Sequence, residues 1–191
     1  MPLRVTHYNE PILRKKGKVV ETFDEELQSL CSQMIETMYA HEGIGLAAQQ
    51  VSKAVMLCVI EVPQSRDDSY KFTLDGKSPP AELIMPIALV NPQVELLPSL
   101  ETEYEEGCLS FPGINGTVKR PDKVRVTFQD PHGIPHVMEC NGLLGRCVQH
   151  EVDHLNGILF IDRMEKESLQ IVESRIQTLK KQTQKFLKTS S

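Results

Sequence analysis

The pattern of this 191-residue chain predicts an α+β fold, with antiparallel β-sheets gathered around one helix, an N-terminal helix and a long C-terminal helix. Three observations carry that expectation. Strand-like segments fill the middle of the sequence, whereas helical periodicities sit towards its ends. VRVTFQD and IPHVMEC (124–140) alternate on both sides of Pro131-His132-Gly133, the pattern of an antiparallel hairpin. Asn141-Gly142 then leads into a helix over residues 143–156, placed between the strands and the last helix.

From the N-terminus, residues 24–41 read as an amphipathic helix, because Leu27, Leu30, Cys31, Met34 and Met38 recur on one face. Thr22 and Glu25 have the spacing of a capping box at its start, and Gly43 is placed to stop it. AVMLCVIEV (54–62) is apolar and rich in β-branched residues, so it predicts a buried strand. Residues 64–80 are polar and rich in Pro, Gly and Ser, which marks a surface excursion within the domain. LIMPIALVNPQVELL (83–97) reads as strand, proline break, strand. Residues 164–188 carry Leu169, Val172, Ile176 and Leu179 on one stripe of a long charged helix, read as a cover docked on the domain. No internal repeat or low-complexity tract divides the chain, so one domain over 1–191 is expected, with 163–191 as its C-terminal helix.

Composition excludes several classes of function. Hydrophobic residues make up 40% and charged ones 25%, ordinary for a globular domain. The formal charge of −5 argues against nucleic acid or an anionic membrane as the main partner. No apolar run approaches the roughly 20 residues of a membrane span. The start, MPLRVTHYNEPILRKK, lacks the apolar centre of an export signal, so a cytoplasmic location is expected. Five cysteines without regular spacing (Cys31, Cys58, Cys108, Cys140, Cys147) predict reduced thiols, not a disulfide framework.

The chemistry is concentrated in QHEVDHLNGIL (149–159). Residues four apart on a helix share a face, with Cβ atoms roughly 5–6 Å apart, so His150 and His154 can reach one ion. Glu151 is offset by one position, which lets its carboxylate approach a coordinated water without becoming a ligand. A metal can lower the pKa of such water to about 7. A third ligand is still required. The position six residues after His154 is Phe160, which excludes a third histidine there. Glu173 on the last helix would complete a zinc endopeptidase. Cys108 sits in YEEGCLSFPGING, where Gly107, Pro112, Gly113 and Gly116 mark irregular backbone able to bring a thiolate and free N–H groups to one point. Cys147, three residues before His150, would with Cys108 form a closed, inert two-cysteine, two-histidine site.

GIGLAAQQV (43–51) is the other unusual segment. Two glycines and two alanines strip bulk from a backbone that something approaches closely, although a helix stop followed by a tightly packed strand also explains them. A side-chain amide at Gln49 or Gln50 can donate to a developing oxyanion.

Together these segments resemble the peptide deformylases, a family marked by Gly-x-Gly-x-Ala-Ala-x-Gln, Glu-Gly-Cys-Leu-Ser and His-Glu-x-Asp-His in that order. Here they read GIGLAAQQ (43–50), EGCLS (106–110) and HEVDH (150–154), and the resemblance runs from Pro11 to Arg163. Gln49 stands where the family usually has proline, and residues 64–82 are longer than a minimal member needs. The resemblance implies that Cys108, His150 and His154 hold one divalent metal, with water in the fourth position. It implies that Glu151 takes a proton from that water and later passes it to the departing amine. The Leu109 backbone N–H and the Gln50 amide would stabilise the oxyanion. Backbone at Gly45 and Gly107 would pair with an extended peptide, while Ile44, Leu46 and Cys147, with Val148 beside them, would line a methionine pocket. The implied reaction removes the formyl group from the N-formylmethionyl end of a nascent peptide. Ferrous iron is the usual metal of the family, and zinc, nickel or cobalt can occupy the same ligands. Asp153 is expected to support the site by pairing with Arg120, with a simple surface aspartate as the alternative. The ribosome is a further partner to consider, through a local basic patch such as Lys180-Lys181.

Overall fold

The computed structural model describes residues 1–63 and 70–189. Residues 64–69 of the expected surface excursion, and 190–191 of the expected last helix, lie outside the described residues.

The first helix, α1, spans Glu25–Ala40. Its cap is Asp24, whose carboxylate accepts from the Leu27 N–H at 3.0 Å, so the expected Thr22 cap gives way to the residue that lies one turn from an open N–H. Its end differs from expectation in the same small way. Glu42 takes the left-handed conformation (φ 54°), while the Glu42 and Gly43 N–H groups donate to the Tyr39 and Met38 carbonyls. That bond pair closes a helix end and places Gly43 one position beyond the turn.

Strand β1 (Gly45–Ala47) follows and pairs antiparallel with β2 (Leu57–Ile60), the buried strand expected from sequence. The polar stretch after it contains a strand that its composition hides, β3 (Phe72–Leu74), with Tyr70 and Phe72 buried in the core. β4 (Ile87–Leu96) runs through Pro92 as one strand instead of breaking there. The missing N–H of proline is absorbed by a register shift between Val90 and Gln93, where Asn91 turns to φ 52°. β5 (Glu101–Gly107) and β6 (Asn115–Pro121) form a separate two-stranded ladder. β7 (Val124–Gln129) and β8 (Pro135–Cys140) make the predicted hairpin. Helix α2 (Gly142–Leu155) and the long α3 (Lys166–Thr189) complete the fold.

The larger sheet has the order β1-β2-β4-β7-β8-β3, antiparallel throughout. Alternation along β2 shows how it is covered. Leu57 and Val59 pack with Met34 and Met38 of α1, whereas Cys58 and Ile60 pack with Leu144, Cys147 and Val148 of α2. Beyond α2 lies the β5–β6 ladder, whose Val118 joins Val172, Ile176 and Leu179 of α3 in a third cluster. Helix α2 is therefore flanked by both sheets, with most of its residues buried. A helix so enclosed must find partners for every polar side chain it carries.

Candidate metal centre

β5 ends at Gly107 opposite Asn115, and the chain leaves the ladder in a turn closed by the Phe111 N–H donating to the Cys108 carbonyl. A Cβ at position 107 would meet Asn115 Oδ1 at 2.7 Å, so any larger residue there would turn the exposed Asn115 side chain aside. The turn brings Cys108 against α2. Its sulfur and one nitrogen from each of His150 and His154 lie within 4.8 Å of one another, and Sγ is 3.2 Å from His154 Nε2. Among the described residues no other group of three such donors is gathered. Cys147 and Glu173 stand outside the cluster. The Cys147 thiol points to the Ile44 carbonyl at 3.4 Å, and Glu173 is exposed on α3, so neither alternative third ligand is assembled.

One thiol and two imidazoles fit several divalent transition metals. The surroundings fit as well. His150 Nδ1 lies 3.0 Å from Glu106 Oε2, which leaves Nε2 for a metal and fixes the ring's orientation. Glu151 Oε2 is buried without a hydrogen-bond partner among the described residues, as suits a carboxylate that serves a reactant.

Glu106 had no assigned role in the sequence reading, and the structure makes it the hub of the site. Its buried carboxylate accepts from Arg120 Nε (2.7 Å) and Nη2 (3.0 Å) and from Arg146 Nη1 (2.8 Å), besides meeting His150. Arg120 continues to Asp153 at 2.7 Å, the pairing anticipated from sequence, and Asp153 also holds Arg163. Burial opposes the charge on Glu106, but His150 and Arg120 hold it well below the ordinary carboxylate range. Burial likewise opposes charge on His150, yet hydrogen bonds with Cys108 and Glu106 push its imidazole up. Burial, with His150 alongside, pushes His154 down. Burial raises Glu151 to about 7, close to the value best suited to accept and return a proton near neutrality.

The cluster opens onto a cavity of about 570 Å³. Gly45 and Glu151 face each other across it so closely that a Cβ at 45 would sit 2.5 Å from Glu151 Oε1. Gln50 is buried with its amide Nε2 3.4 Å from Cys108 Sγ and 3.3 Å from Ser110 Oγ, while its Oε1 accepts from the Ala47 N–H. Gln49 turns away: its amide donates to the Lys15 and Leu155 carbonyls, tying the N-terminal segment to the end of α2. Ile44, Gly107, Leu109 and Cys147 all line the cavity. Leu46 does not. Strand alternation sends it to the opposite face of β1, where it is fully buried against α1. Val148 is likewise in the core, one residue past the helix face that carries Cys147. Leu143 and Arg146 line the cavity in their place. Leu143 was findable, since it precedes Cys147 by one helical turn on the same face.

A sulfur and two imidazoles that could hold a metal ion, with a buried carboxylate beside them, open onto one cavity in an α+β frame. The model of the polypeptide deformylase family matches residues 2–170. The peptide deformylase of Opitutus terrae is 50% identical over 186 residues, covering 96% of this chain and 95% of its own. That of Methylacidiphilum infernorum is 40% identical, covering 95% and 94%. Among solved structures, a Synechococcus elongatus peptide deformylase in complex with actinonin has a TM-score of 0.77 at 36% identity, covering 91% of this chain and 86% of that one. The chain belongs to the polypeptide deformylase family. It is a hydrolase that removes the formyl group from the formylmethionine of new polypeptides.

Proposed function

We propose that deformylation is carried out at one divalent metal ion held by Cys108, His150 and His154, with Glu151 moving the proton. The observation that carries this reading is the convergence of those three donors within 4.8 Å beside a buried carboxylate at the Gly45 backbone. The ion, when bound, supplies water acidified to a pKa of about 7 as the nucleophile. Glu151 would take a proton from the attacking water and pass it to the leaving nitrogen, so that formate and a free amino terminus are released. The Gln50 amide and the Leu109 backbone N–H donate to the oxygen that becomes negative at the formyl carbon, a contribution of about 2.7–4 kcal/mol per donor. Backbone groups at Gly45 and Gly107 hold the peptide extended, which fixes the formyl group against the nucleophile. Ile44 and Cys147, joined by Leu143, form the apolar wall for the methionine side chain. Glu106 and Arg120 act from behind, keeping His150 oriented.

Ferrous iron is the metal we assign in the cell, with zinc, nickel and cobalt able to occupy the same donors. Among the described residues no helix is long and apolar enough to cross a membrane. We assign the protein to the cytoplasm, acting on chains as they leave the ribosome. Formate release from formyl-Met-Ala-Ser by iron- or nickel-loaded protein tests the reading. Turnover by wild type and loss of it in Glu151→Ala, with metal content retained, are expected. Equal rates in the two proteins would remove Glu151 from the chemistry.

A further inference from the structure

The N-terminal arm separates the catalytic cavity from a second groove. On one side the arm is pinned beside the site, Thr6 N–H donating to the Gln50 carbonyl (2.8 Å) and Tyr8 N–H to the Ser110 carbonyl (2.9 Å). On its other side it faces the last turns of α3. Between them runs a groove of about 280 Å³ lined by Arg4, Val5, His7, Leu179, Gln182 and Phe186. Val5 and His7 line both the groove and the catalytic cavity, so the arm is the wall the two share. The groove's chemistry is mixed and close to neutral. Phe186 is 44% exposed with the Arg4 guanidinium 5.2 Å from its ring centroid, and Glu10 holds Arg4 in a two-pronged ion pair. Thr183 also lines it and keeps a buried hydroxyl without a partner among the described residues.

The substrate of a deformylase is a polypeptide of which the first residue alone fills the methionine pocket. At about 3.3 Å per extended residue, the following residues soon reach the cavity's exposed margin, where His7, His41 and Glu42 stand. We propose that the chain continues past His7 into the groove, so that substrate residues four to six lie between the N-terminal arm and α3. This inference rests on the deformylase reading above. A neutral peptide backbone suits the groove better than an anion, because Glu10 already neutralises Arg4. Gln182 and His7 offer hydrogen bonds to main-chain amides, and Phe186 offers an apolar surface for one side chain.

The test compares formyl-Met-Ala-Ser with a formyl-Met octapeptide bearing leucine at residue five, on metal-loaded protein. Wild type is expected to show a kcat/KM for the octapeptide about tenfold above that for the tripeptide, the scale of covering some tens of square ångström of apolar surface. Phe186→Ser with Gln182→Ala is expected to bring that ratio close to one. A ratio of one in wild type, or an unchanged ratio in the double variant, would overturn the groove assignment while tripeptide turnover leaves deformylation standing. Absence of tripeptide turnover would sink the deformylase reading, and the groove proposal with it. Independent of any variant's folding, an octapeptide with benzoylphenylalanine at residue five should photo-crosslink to residues 179–186 or 4–7. Crosslinks confined to the far wall of the cavity, at Tyr104 or Leu143, would contradict the path.

Discussion

Gly45→Ala is the substitution whose effect follows most directly from the geometry. Its new Cβ would lie 2.5 Å from Glu151 Oε1 and 2.9 Å from both Cys147 Sγ and Glu151 Cδ, where ordinary contact starts at 3.4 Å. Cys147 is packed into the core at the cavity wall and has little room to retreat, so most of the shortfall falls on the Glu151 carboxylate. A misplacement of about 1 Å at a reacting group costs on the order of 100-fold in rate. Overpacking a filled site costs about 1–3 kcal/mol of stability. The backbone N–H and C=O of residue 45 remain, as do the three metal donors. The expected signature is thus a kcat about 100-fold down, one metal per chain retained, and a modestly lowered melting temperature. Steady-state formate release, metal analysis and a thermal melt read all three. A kcat within threefold of wild type would refute the claim that Glu151 works from the position seen against Gly45.

Other outcomes follow from the same contacts. Glu106→Gln removes the charge shared by Arg120, Arg146 and His150; it should destabilise the fold by about 3–5 kcal/mol in denaturant titration and weaken metal affinity about 10- to 100-fold. Gln50→Ala should lower kcat by about 10²–10³ with metal content unchanged, since the amide is asked to serve mainly in the transition state. Glu10 bears on acid stability. Although burial opposes its charge, Arg4 and the His7 N–H hold its carboxyl below the ordinary value of 4.5. A group depressed on folding contributes stability above its unfolded value and loses it as pH falls through the folded one. Glu10→Gln should therefore be less stable than wild type at neutral pH, with the difference shrinking as pH drops below 4.5 in parallel melts.

Much of this architecture is written in local pattern. The α2 motif, the β7–β8 hairpin and the α3 stripe all obey periodicities that burial imposes, and each stands where its pattern put it. Strand β5 obeys none, because ETEYEEG lies open on nearly all positions and is held by pairing with β6. β3 was hidden for a related reason: its three residues are fixed by β8 and by the burial of Phe72, in a stretch whose average composition is polar. At the site, residue types could point to Cys108, His150 and His154, while Glu106 stood at the head of EGCLS with no role of its own. Only the arrival of Arg120, Arg146 and His150 from other elements gives it work to do. Leu46 fails in the opposite sense. Its side-chain direction is set by strand alternation, whereas the expectation for it came from the family resemblance.

The central claim is that one ion is held by a thiolate and two imidazoles and that this assembly hydrolyses the formyl amide. It is tested most directly by metal content and formate release measured on the same cobalt-loaded samples of wild type, Cys108→Ala and Cys147→Ser. The account predicts one cobalt per chain, a sulfur-to-cobalt absorption band and turnover in wild type and Cys147→Ser, and loss of all three in Cys108→Ala. Metal and band surviving in Cys108→Ala, or vanishing in Cys147→Ser, would contradict it.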